Sequence, residues 1–306
     1  MVKKEGRGSL MPWGYWRIDP NYRGYDMRKG VDPLFHTQIR DFEPDYLLVG
    51  VEEDIMFKPG TEPKGLRWWH WDNSMQPWLR HITPANQTGH KLFSRLTHCG
   101  YRIRNEIPAD PKQRIRINAM LERDSEGKIK DIADLWSGTR PTELPRKKHA
   151  LVCASSLRNH RWFGETQTEW LSRVTDELKR QGYTYTIRTK VSVKDRKRDE
   201  TTDQIKREGC DLVVANYSAC ASEAAPVGCA VVTTSDWNPA SSVSTPWQEF
   251  CEGHIRQYRV EEIEDWTTRI CAYTYHRHEL NKLEWIKYHP EAKHLRQQRY
   301  GNAYKN

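Results

Sequence analysis

Apolar and polar positions settle into a regular alternation only in the second half of the chain. Residues 149–156 (HALVCASS) are a short apolar run closed by small polar residues. The stretch 168–182 (TEWLSRVTDELKRQG) follows at helical spacing up to Gly182, a stop signal. The pattern continues with a strand at 184–189 (TYTIRT), a helix at 201–210 (TTDQIKREGC) and a strand at 211–218 (DLVVANYS). A short helix at 219–228 and a fourth strand at 229–235 (CAVVTTS) complete it. The continuous apolar character of 211–218 suits the interior of a parallel sheet. Strands alternating with helices at this spacing imply right-handed β-α-β crossovers, and so an α/β domain on an open parallel sheet over 146–285. Near its end, 261–275 and 278–289 read as amphipathic helices. Residues 286–306 form a basic tail.

The first half is less regular. Residues 41–53 (DFEPDYLLVGVEE) predict a turn at Pro44 and a buried strand over 46–51, and 65–73 (GLRWWHWDN) a short aromatic strand that ends on Asp72 and Asn73. Residues 109–146 are rich in charge, Pro and Gly. Within them, 117–136 fit either a hairpin or a broken helix, and the segment is taken as a linker closing an N-terminal domain of residues 1–145.

Composition narrows the class. Thirteen Trp and fourteen Tyr in 306 residues supply apolar anchors and speak against wholesale disorder. Seven cysteines without a C-x-x-C pair disfavour a disulfide framework and a Cys-rich zinc site. His276 and His278 are two residues apart and share no helix face, so no metal is expected there. The N-terminus lacks the apolar core of a signal peptide and no run is long enough to span a bilayer, so a cytoplasmic protein without a membrane partner is expected. The formal charge of +8 favours an anionic partner, either a nucleotide diphosphate or nucleic acid.

Candidate chemistry concentrates where the third strand of the regular domain ends. Ser218 and Ala219 stand at a strand-to-helix turn, where backbone N–H groups and a helix end can receive a diphosphate, and Glu223 can accept from sugar or ribose hydroxyls. The plain structural alternative is an N-cap followed by an exposed glutamate. Residues 218–232 (SACASEAAPVGCAVV) resemble the small-x-x-x-E-A-x-x-x-G-x-P-V-V signature of GT-B-type glycosyltransferases, with Ala230 in place of the usual Pro. The order of WDN, ITPANQTG, LVCASS, IRTK, NYSACASEA and NPASSV over residues 67–285 is similar to that of bacteriophage-encoded GT-B-like proteins.

That resemblance implies two Rossmann-like lobes, the N-terminal one reduced or irregular, and a nucleoside diphosphate sugar as co-substrate, first of all a UDP-sugar, with no metal required. It places Ser155 and Ser156, Arg188 and Lys190, and the turn at Ser241 and Ser242 beside Ser218, Ala219 and Glu223 in the donor site. Arg188 and Lys190 would pair with the diphosphate, although solvated charge is the ordinary role of such residues. An acceptor base is expected at Asp72, or second at His90, while a retaining transfer can proceed without one. Asp72 fits equally a turn cap shared with Asn73. Trp69 in the aromatic strand and the basic run Lys194, Arg196, Lys197 and Arg198 keep double-stranded DNA as a partner, with a hydroxymethylated base as acceptor. Core packing and a solvated loop are the respective alternatives. A protein that binds nucleotide or nucleic acid without catalysis on the same scaffold is the competing function.

Overall fold

The computed structural model describes residues 46–49, 68–73, 93–98, 103–104, 106–133, 147–188, 201–281 and 284–293. Internal contacts divide the chain into two compact units: residues 1–74, 79–132 and 268–306 form the first, and 75–78 with 133–267 the second.

The first unit begins with β1 (Tyr46–Val49), β2 (Trp68–Asn73), β3 (Phe93–His98) and α1 (Pro111–Asp124). The second holds β4 (Lys147–Cys153), α2 (Leu157–Trp162), α3 (Gln167–Arg180), β5 (Thr184–Arg188), α4 (Thr201–Glu208) and β6 (Cys210–Ala215). It continues through α5 (Cys220–Ala224), β7 (Ala230–Thr233), β8 (Thr245–Pro246) and α6 (Trp247–Cys251). The division falls within α7 (Val260–Cys271), after which β9 (Thr274–His276), α8 (Arg277–Asn281) and α9 (Trp285–Tyr288) belong to the first unit.

The second unit is α/β with five parallel strands in the order β5-β4-β6-β7-β8. Alternation along each strand sends Ala150, Val152, Leu212, Val214, Ala230 and Val232 into one buried cluster with Trp170, Val174 and Leu178 of α3 and Phe250 of α6. The intervening Leu151, Val213 and Val231 are buried as well, and α4 and α5 pack against β6 and β7. Covering both faces explains why the strands read as continuous apolar runs. Each large side chain buried this way contributes about 1.5–3 kcal/mol.

Helix α3 is set by a capping box. Thr166 accepts from the Glu169 N–H, and the Glu169 carboxylate accepts from the Thr166 N–H. Its far end turns at Gly182 (φ 77°), with Tyr183 N–H closing on Leu178 O at 2.8 Å.

The first unit carries a mixed sheet, β1-β2-β3-β9, in which β1 and β2 are parallel and β2, β3 and β9 antiparallel. Strand β9 pairs with β3, and Arg116 of α1 holds Glu279 of α8 at 2.6 Å while donating to Cys271 O and Thr274 O. These contacts place residues 268–306 with the first unit, whereas the sequence pattern had carried the second domain to residue 285.

Two expectations are corrected here. The segment 109–146, read as linker, contains the 14-residue α1, started by Asp110 capping Lys112 N–H and by Pro111 at the first helical position. The helix expected over 261–275 ends at Cys271, because the residues that follow turn into β9 to meet β3.

Candidate functional site

Strand order locates the site. From β4 the chain crosses to β5 on one side, returns to β6 on the other, and then proceeds to β7 and β8. The connections after β4 and β6 therefore leave in opposite directions. In open parallel sheets the carboxyl ends at such a reversal are where ligands bind. Across that edge the register aligns Arg188, Cys153, Ala215 and Thr233.

The two loops at the reversal are tied together. Ser155, 3% exposed, accepts from Tyr217 N–H at 3.1 Å, and its carbonyl accepts from the Gln167 amide. The sequence placed Ser155 against a donor; the structure gives its hydroxyl the task of joining the β4 and β6 loops. Asn238 braces the second loop by donating to Asn216 O (2.8 Å) and Ser218 O (3.2 Å), while its own carbonyl accepts from Ala240 N–H. Ser156 caps α2 by accepting from Asn159 N–H.

Several polar groups at this end are buried and without hydrogen-bond partners among the described residues: both ring nitrogens of His160 on α2, Asn216 Nδ2 after β6, Ser222 Oγ on α5 and Ser242 Oγ. Each such group costs about 1–3 kcal/mol when left unpaired. Burial pushes the His160 imidazole below its ordinary range, so it is neutral at pH 7 and one nitrogen can accept.

Arg188 closes β5 and donates to Gln204 Oε1 of α4 at 2.6 Å. Beside it lies a pair of thiols that sequence reasoning missed. Cys220 receives hydrogen bonds from Cys153 and from Thr201 Oγ1 (3.2 Å), and with the nearby Arg188 charge these pull its thiol well below the ordinary cysteine range. Cys153 keeps its proton, held up chiefly by that same hydrogen bond and by burial. The signal lay in the strand ends, since Cys153 closes β4 and Cys220 opens the helix after β6, but their meeting depends on β4 and β6 being neighbours.

The remaining expected residues fall as follows. Ser218 Oγ accepts from Cys220 N–H, Ala219 precedes α5 with its carbonyl accepting from Glu223 N–H, and Glu223 is half-buried on α5. Helix α5 has only five residues, so its summed dipole is small and the anion-attracting helix end expected there carries little weight. Ser241 and Ser242 open a single 3-10 turn, where Ser241 O accepts from Ser244 Oγ.

Asp72 stands in β2 in register with Arg95 of β3. Trp69 is corrected: its ring is fully buried against His98, Trp285 and His289 in the first unit, leaving no face for a base. His90, Lys190, Lys194, Arg196, Lys197 and Arg198 lie outside the described residues. Among the described residues no helix is long and apolar enough to cross a membrane.

No protein-family model matches the chain. Neither a curated protein nor a solved structure matches it.

Proposed function

We propose that this protein is a glycosyltransferase whose parallel-sheet unit holds a nucleoside diphosphate sugar at the β4/β6 reversal. The observation that carries the reading is the strand-order reversal between β4 and β6, whose following segments hold His160, Asn216 and Ser222 with buried side-chain atoms that lack partners among the described residues. The Arg188 guanidinium supplies a cation at the same edge, suited to a diphosphate. Glu223 takes the hydroxyl pair of ribose or sugar, and Ser241 and Ser242 line the sugar, in line with the sequence resemblance over 218–232.

In the transfer, a general base, for which the sequence resemblance names Asp72, takes the proton of the acceptor hydroxyl as its oxygen bonds to the anomeric carbon. The nucleoside diphosphate departs with the electron pair of the broken bond and is received by Arg188, to which the sequence resemblance adds Lys190. A hydroxymethylated base in DNA is the acceptor proposed on the +8 charge and the basic run 194–198.

Thermal-shift screening against nucleoside diphosphate sugars tests the donor half, since a ligand that binds only the folded state raises its melting temperature. Release of nucleoside diphosphate with hydroxymethylated DNA tests the transfer. Asp72→Asn should cut turnover about a hundredfold or more at unchanged donor affinity. Donor protection without turnover on any acceptor would leave a nucleotide-binding protein, and no protection by any donor would sink the proposal.

A further inference from the structure

The opposite, amino-terminal edge of the same parallel sheet holds a second polar cluster, which the proposed donor site does not use. His149 stands in β4, Glu208 ends α4 and Cys210 opens β6, and their ligand-type atoms lie within 4.8 Å of one another. Thr184 Oγ1 donates to Lys148 O and lies 2.8 Å from His149 Nδ1, while Thr186 Oγ1 lies 3.1 Å and Glu208 Oε2 3.6 Å from Nε2.

An imidazole nitrogen and a carboxylate oxygen, both of metal-ligand type, therefore face each other. Glu208 Oε1 accepts from the Gln204 amide and lies 3.6 Å from the Arg207 guanidinium, whereas Oε2 is buried and closes no hydrogen bond among the described residues. The Cys210 sulfur lies beside them, within 4.8 Å of both ligand atoms, so a single cation among the three can take all of them as ligands.

We propose that His149 Nε2, Glu208 Oε2 and Cys210 Sγ form a binding site for a borderline divalent metal ion of the zinc type, with water in the fourth position. The donor set of one imidazole, one carboxylate and one thiol suits such an ion rather than magnesium or calcium. Tetrahedral bonds of zinc length set ligand atoms about 3.3–3.8 Å apart. The nitrogen–oxygen separation already meets that range, and the thiol needs to approach by about 1 Å at most. Binding breaks the Cys210 S–H bond, sends the proton to solvent and forms the metal–sulfur bond. The Nδ1–H to Thr184 contact is the outer support that orients a metal-bound histidine. No spacing in the sequence marks a metal site here, because Glu208 and Cys210 meet His149 only through the β4/β6 pairing.

Titration of the metal-stripped full chain with Co2+ tests this directly. The expected result is one strongly bound ion, a thiolate-to-cobalt absorption band, visible bands of tetrahedral intensity, and displacement by Zn2+. Cys210→Ser should abolish the charge-transfer band, His149→Gln should weaken binding at least tenfold, and Thr184→Val should weaken it about tenfold while keeping the band. Circular dichroism of each apo variant checks its fold. Absence of Co2+ binding below about 1 mM, or unchanged binding and spectra in both Cys210→Ser and His149→Gln, would overturn the proposal and leave a protonated His149 paired with Glu208.

Discussion

Replacing Ser155 with alanine removes one oxygen from the loop after β4 and leaves the Tyr217 N–H, now bonded at 3.1 Å, without an acceptor at a position almost closed to water. An unsatisfied buried donor costs about 1–3 kcal/mol. A domain of this size loses roughly 2–4 °C of melting temperature per kcal/mol, so Ser155→Ala should melt about 2–12 °C below the parent. The same bond positions the loop that carries Ser218, so donor affinity should fall alongside stability, although Ser155 itself need not touch the donor. Ser156→Ala is the control. It removes a half-buried helix cap worth about 0.5–2 kcal/mol without stranding a buried donor across the reversal. Calorimetric melting and donor titration of both variants read the effect. A Ser155→Ala protein that melts within 1 °C of the parent and binds donor equally would refute the role assigned to this bond.

Glu279→Gln should destabilise the first unit by about 3–5 kcal/mol, because it strands the buried Arg116 charge; a urea midpoint equal to the parent's would contradict this. Burial pushes the Glu291 carboxyl up to about 7, despite Arg104 nearby. Its folded value lies above its unfolded one, so its contribution is fully present below about pH 4.5 and is lost as pH rises through 7. Relative to Glu291→Gln the parent should therefore lose about 3 kcal/mol over that window, and parallel stability curves would refute it. The Cys220 thiol, drawn down by Cys153, Thr201 and Arg188, should ionise below an ordinary cysteine, so thiolate absorbance at about 240 nm lost in Cys220→Ala should appear at lower pH than that of a free thiol. A parent and a Cys220→Ala variant with the same absorbance titration would refute that ionisation.

The strands of the parallel sheet were legible because both of its faces are covered, which makes runs such as 150–153 and 212–215 apolar without a break. Helix α3 was legible from its spacing and its Gly182 stop. What local pattern does not encode is partnership. The position of β5 on the far side of β4, and hence the reversal that locates the site, is a property of strand order. Strand β9 escaped because Thr274–His276 owe their conformation to β3, nearly 180 residues earlier, and β3 itself went unread within a polar stretch. Helix α1 carried its signals in Asp110 and Pro111, but the surrounding charge, Pro and Gly masked them. At the candidate site the strand-end residues Ser155, Arg188 and Ser218 were visible. Their tasks were not, since a hydroxyl that joins two loops reads in sequence like one that meets a ligand. Trp69 shows the reverse, an aromatic residue whose burial only the sheet and α9 reveal.

A crystal structure of the full chain with saturating uridine diphosphate shows where the nucleotide binds. The diphosphate should lie at the carboxyl edge of β4 and β6, within hydrogen-bond reach of Arg188 and the loops at 154–157 and 216–219, with at least one of His160, Asn216 and Ser222 gaining a partner. Nucleotide density at another place, or an empty edge at a concentration that saturates binding in solution, would contradict this placement.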